Sequence, residues 1–256
     1  MKVLALFLFK LLKNIAMQNN RFILPALIMG ICLIIVSLFL ASGLRNIKSE
    51  KSINITGSAK QLIVSDLGIL KGNFNISAAT AQDAYRELER QRPLVIAFLK
   101  SKGFKAADID LKTISVYPQY NFGPNGQQLG VRDYVINQML EVSAKDVNLI
   151  KEVSISIASL FEQGLNFNVN PPEYYYTKLS DVKIRIQAEA AKDAMIRGEK
   201  VAEATNSTLG KLTSARMGVL QITPENSNQT SDYGINDVSS IRKEITAVVS
   251  ANFEIE

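Results

Sequence analysis

The chain has 256 residues, no histidine, one cysteine and a formal net charge of +5. Without histidine there is no Ser-His, Cys-His or His-metal arrangement, and one cysteine leaves no disulfide within the chain. Four of the 29 basic residues, Lys2, Lys10, Lys13 and Arg21, stand in an acid-free stretch before residue 44. The other 25 face 24 acids, so the body of the chain is near neutral and a nucleic-acid partner is set aside.

Residues 1–21 read as a basic cytoplasmic segment. Its apolar run Val3 to Phe9 is too short to span a bilayer. Two readings stand there, an interfacial helix with Lys10 and Lys13 on its wet side and a start of translation at Met17. The charge-free run over residues 22–44 predicts a transmembrane helix of about 34 Å at about 1.5 Å per residue, against a hydrocarbon core of about 30 Å. Its lipid-facing side chains include Phe22, Leu24, Ile28, Ile31, Ile34, Ile35, Leu38 and Leu40. Pro25 falls in the first turn, where its missing N–H costs little. Ala41-Ser42-Gly43 has the spacing a signal peptidase reads. The run is nevertheless longer than an h-region of roughly 7–15 residues, so an uncleaved anchor is expected. The lysines upstream place the N-terminus in the cytoplasm and the C-terminal part outside it.

After a linker over residues 45–52 the period changes to two. Ile53, Ile55 and Gly57 alternate with polar residues, and a second strand continues through Ile69 to Ile76, with a turn near Ser65 to Gly68. Thr80 and Asp83 open a helix whose apolar face carries Tyr85, Leu88, Val95 and Leu99, with a kink or break at Pro93 and an end at Gly103. Ile109 to Tyr120 and Val131 to Ala144 form a long hairpin around the turn 121–126. Asp146 caps a second helix ending at Gly164, two short strands flank Pro171-Pro172, and an alanine-rich helix runs from about Asp181 to Asn206. Strands over 211–223 and 242–256 follow, separated by a polar loop of the kind that tolerates disorder. The expected class is α+β: a single N-terminal transmembrane helix, then a domain over 53–256 with about three helices on an antiparallel or mixed sheet.

Ile53-Asn54-Ile55-Thr56-Gly57-Ser58, Asp66 after a Ser65 that stands in place of proline, Tyr117-Pro118-Gln119-Tyr120, and the alanine-rich helix running into Leu209-Gly210-Lys211-Leu212 together resemble the SIMPL-domain family, also called the family of unknown function 541. The resemblance covers roughly Ile53 to Glu256. It implies an extracytoplasmic α+β domain, in some members assembled into rings, with a loose association with oxidative-stress defence. It supplies no catalytic residue set.

The function expected is therefore non-enzymatic, with no catalytic, cofactor-binding or metal-binding residue and no cofactor. The partners expected are membrane lipid through the anchor and other copies of the chain, the domain self-assembling into a ring or scaffold. The candidate interface is Tyr174, Tyr175 and Tyr176, where alternation buries the middle ring or the outer two, together with Tyr120 and Phe122 at the hairpin tip. The alternative is a monomeric module capturing an envelope protein through the same residues. Asp108 and Asp110 read as a solvated turn, because calcium needs about six or more oxygen ligands.

Overall fold

The computed structural model describes residues 23–46 and 51–256, and within the first helix the side chains of residues 25–40. The expectations for residues 1–21, for Phe22, for the Leu24 side chain and for linker residues 47–50 lie outside the described residues. Helix α1 spans Ile23–Asn46. Ile28, Ile31, Ile34, Ile35, Leu38 and Leu40 on it are all exposed. Among the described residues no helix is long and apolar enough to cross a membrane. A separate compact unit covers Ile53–Ile255.

That unit contains two sheets, where the sequence suggested one. Strand β1 (Ser52–Val64) and strand β2 (Leu67–Ala78) follow one another in the chain but join different sheets. The crossover at Ser65 and Asp66 is fixed by long-range bonds. Ser65 N donates to Ile241 O (2.8 Å), Asp66 N to Tyr175 O (2.9 Å), and the Asp66 carboxylate accepts from Thr177 N and Oγ1, both at 2.7 Å.

In the first sheet β2 pairs along its whole length with β5 (Gln128–Ala144), which pairs on its other side with β3 (Ile109–Leu111) and β4 (Ser115–Phe122). Short strands β6 (Phe167–Val169) and β7 (Glu173–Tyr175) add to the far edge of β2. The even residues of β2 from Gly68 to Ile76 are buried, as period two requires. Gly72 is among them because the Phe167 ring lies on its backbone, where a Cβ would stand 2.0 Å from the ring. Helix α2 (Ala81–Ser101) covers this face with Leu88, Val95 and Leu99, and Thr80 Oγ1 accepts from Asp83 N as expected. Pro93 does not break the helix, which runs through it; the proline is exposed on the solvent side. Gly103, at φ +104°, ends it. Asp146 caps α3 (Val147–Ser156) by accepting from Asn148 N and Leu149 N, and a short α4 (Ser159–Glu162) follows.

The second sheet is built on β11 (Arg242–Ile255), which lies between β1 on one side and, end to end on the other, β8 (Leu209–Met217) and β9 (Gln221–Pro224). A two-residue strand β10 (Ile235–Asn236) runs parallel to β9, so this sheet is mixed. The polar loop foreseen as tolerant of disorder therefore contains a strand. Helix α5 (Leu179–Ala204) packs across the sheet with Val182, Ile186, Ala190 and Ala194. The small residues allow a close approach. A Cβ on Gly57 would lie 2.3 Å from both Ala190 O and Ala194 N. The unit thus carries four helices, one of them a single turn.

Candidate functional site

The five residues expected at an interface are divided by the fold. Tyr174 is a core residue with 4% exposure, because Gly68, its partner on β2, faces the helices. Of the two alternatives that alternation left open, the structure buries the outer ring Tyr174, which is therefore not a surface ring, while Tyr175 and Tyr176 are half-buried. Tyr175 points to the other face, where its hydroxyl donates to Glu173 Oε2 (2.7 Å) and Glu173 accepts from Lys71 Nζ at 2.8 and 3.0 Å. The Lys71 ammonium and the Tyr175 hydroxyl hold the Glu173 carboxyl below the usual carboxylate range. Tyr176 is half-buried against the α5 core.

Tyr120 and Phe122 are placed differently. Strand β2 stops at Ala78, opposite Tyr134, so β5 from Gln128 to Asp133 has β4 alone as a partner. The pair projects beyond the sheet as a two-stranded arm, with Gly123 N donating to Gln127 O (2.8 Å) and Gly126 N to Gly123 O (2.9 Å) at its turn. Phe122 and Leu129 are 67% and 62% exposed, and Val131 and Tyr120 are also exposed. The tyrosine strand sits opposite Gly68 and the arm begins opposite Ala78. Ten residues of β2, at about 3.3 Å each, therefore keep the two candidates about 33 Å apart along the strand.

Asp108, Asp110 and the charges of α2 pair locally. Lys112 pairs with Asp110, and Asp108 accepts from Lys105 N (2.9 Å). Glu87 takes Arg90 and Gln91, which hold its carboxyl down at about 2. Arg92 pairs with Glu89 and reaches Gln138 Oε1 (3.2 Å). Gln91, beside these charges, is buried and accepts Asn166 N at 2.7 Å. No group of His, Cys, Asp and Glu able to hold a metal ion occurs among the described residues.

A buried cation went unnoticed in the sequence. Lys243 is 3% exposed, donates Nζ to Tyr174 O (2.7 Å) and to Asp237 O, and borders a cavity of about 70 Å³ where β7, β9, β10 and β11 meet. Burial pulls its amine below the ordinary lysine value despite the nearby Asp237 carboxylate. The signal was present, since Lys243 shares the period-two face of Ile245, Ala247, Val249, Ala251 and Phe253. Its two carbonyl acceptors lie in strand β7 and in the loop after β10, so its role is to pin both to β11.

Two sheets, each covered by helices on one face, define an α+β domain. The chain belongs to the SIMPL family, described as a protein of unknown function (DUF541), whose model matches residues 53–253. No curated protein matches it. The family match covers Gly57 and Asp66, and the fold shows what both positions do. Gly57 lets β1 meet α5, and Asp66 locks the crossover between sheets.

Proposed function

We propose that this is a membrane-anchored, non-enzymatic protein whose SIMPL domain associates with other copies of itself outside the cytoplasm. The observation that carries the reading is the β4–β5 arm. A two-stranded ribbon is marginal in water on its own, and this one exposes Tyr120, Phe122, Leu129 and Val131 on a segment that no third strand supports. A second copy packed against the arm would bury that area. The anchor reading is supported by the charge-free run 22–44 and by the exposed apolar side chains of α1. Copies held in one plane meet at raised effective concentration, so weak lateral contacts suffice to close a ring.

The test is the mass of the full chain in a mild detergent, by light scattering, beside the variant Tyr120→Ser/Phe122→Ser/Leu129→Ser. The expected result is a discrete assembly that falls toward monomer in the variant, with secondary structure unchanged. A wild-type monomer at every accessible concentration overturns the proposal. It would favour the second reading, in which the same arm captures a different envelope protein.

A further inference from the structure

At two places in this unit the helix-bearing face of a sheet runs past its helices. The first is the arm. Val116 lies opposite Ile136 of the first core, and directly opposed residues share a face. Tyr120 and Phe122 follow Val116 at period two, with Val131 opposite Tyr120. The apolar face of the arm is therefore the core face of the first sheet, continued beyond its cover. The second place is β8. Leu212, Ala215 and Met217 lie opposite Phe253, Ala251 and Val249, all of which face α5. The helix does not cover these three, and Leu212 and Met217 are 54% and 61% exposed.

The reason is the way α5 leans. Arg185 donates to Gln61 Oε1 (2.9 Å) and Asp193 accepts from Ser58 N (2.8 Å), so the flank one position before the buried row Ile186, Ala190, Ala194 lies over β1. The flank one position after that row, with Ala191 and Met195, borders β8. Ala190 clusters with Val249 and Ala194 with Ala251, which sets Ala191 and Met195 level with Met217 and Ala215. The result is a shelf floored by β8 and walled by α5. Its two alanines leave a hollow among the longer Leu212, Met217 and Met195 side chains, all exposed.

We infer that the arm of one copy seats its Tyr120 and Phe122 rings on the β8–α5 shelf of the next copy. The inference rests on the self-association reading and names the surface that the arm meets. Residues 120–131 carry no charge and neither do the five shelf residues, so closing the contact strands no ion. Aromatic rings and methionines are the side chains enriched where protein surfaces meet, and their mutual contacts are favourable. The surfaces meet by their faces, because both strand edges are guarded against addition. Strand β4 carries Pro118 and two register shifts in its pairing with β5, and β8 carries two register shifts with Lys211 and Arg216. Arm and shelf are different surfaces, so every copy in a row keeps one of each to offer and the contact runs head to tail, as a ring requires. An arm packed on another arm would stop at two copies.

The experiment is thiol cross-linking of the full chain in a mild detergent. Cys32→Ser removes the one native thiol. Phe122→Cys and Met217→Cys are then made in separate chains and treated with a short bismaleimide, each alone and as a mixture. The expected result is a covalent dimer from the mixture and from neither chain alone. Ile155→Cys on α3, at a position about as exposed as Met217, should give none with Phe122→Cys. A second measurement uses Leu212→Ser/Met217→Ser, which leaves the arm untouched. Losing two apolar contacts should raise the concentration at which half the chains assemble about tenfold or more, with circular dichroism unchanged. If the wild type assembles but the mixture does not cross-link, or Phe122→Cys links to itself, or the shelf variant assembles like the wild type, the inference is overturned and the self-association reading stands. A wild type that stays monomeric overturns both.

Discussion

Gly57 is the residue at which the second layer of the unit is set. With a Cβ 2.3 Å from two backbone atoms of α5, neither a rotamer change nor a small shift relieves the clash. Gly57→Ala is expected to cost more than about 3 kcal/mol, the upper range of overpacking, and chemical denaturation reads it directly. Lys243 gives a second prediction. Lys243→Met leaves Tyr174 O and Asp237 O without their donor, so a loss of about 1–3 kcal/mol near neutral pH is expected. Burial lowers the folded-state pKa while the unfolded lysine keeps its value near 10.5. In that window the unfolded chain binds more protons, so stability rises with pH. The wild type should therefore gain on Lys243→Met as pH climbs toward 10.5, and the difference should level off above it. Denaturation midpoints at several alkaline pH values check the slope. The two residues were unequally legible. The glycine stood inside a recognisable strand pattern, whereas the lysine kept the period of a buried face but had the chemistry of a solvated one.

At the scale of elements, Pro93 shows how far packing overrides a local breaker. Its ring removes the hydrogen bond that Glu89 O would accept, yet Leu88, Val95 and Leu99 on the same face hold the helix to the first sheet on both sides of it. Because the proline is exposed, Pro93→Ala restores a bond without disturbing the core, and a gain of about 1–3 kcal/mol is expected in thermal or denaturant unfolding. Helix caps at Thr80 and Asp146, the positive-φ glycine after α2 and the long hairpin were all readable from sequence, because each depends on residues a few positions apart. The tyrosine strand was not. Alternation distinguishes two faces without saying which is inside, and pairing with Gly68, more than a hundred residues upstream, decides that Tyr174 is the buried ring.

At the scale of the whole molecule, the choice between one sheet and two was hidden for the same reason. β1 and β2 are separated by Ser65 and Asp66 alone, and local rules favour pairing them. What parts them is the set of bonds from Ile241, Tyr175 and Thr177, none of them near in sequence. Asp66→Asn keeps the side chain's size but weakens its charge-assisted bonds to Thr177, so a loss of about 1–2 kcal/mol is expected in denaturant unfolding. The Thr177 bonds hold the Asp66 carboxyl below its ordinary value. The difference should therefore be full above about pH 4 and shrink as acid protonates the group, which paired titrations of both proteins measure.

Strand β11 also fixes a timetable. It is the common neighbour of β1, β8 and β9, and contacts such as Thr56 with Ser250 (3.4 Å) close loops of nearly the whole unit. Loop closure of that length is slow to be repaid, while β2 with β5 needs far shorter closures. A growing chain can therefore assemble the first sheet and its helices early. It must hold β1 unpaired until residues 242–255 arrive, leaving thirteen residues of open strand edge as the interval in which a chaperone, or a wrong neighbour, finds its opportunity.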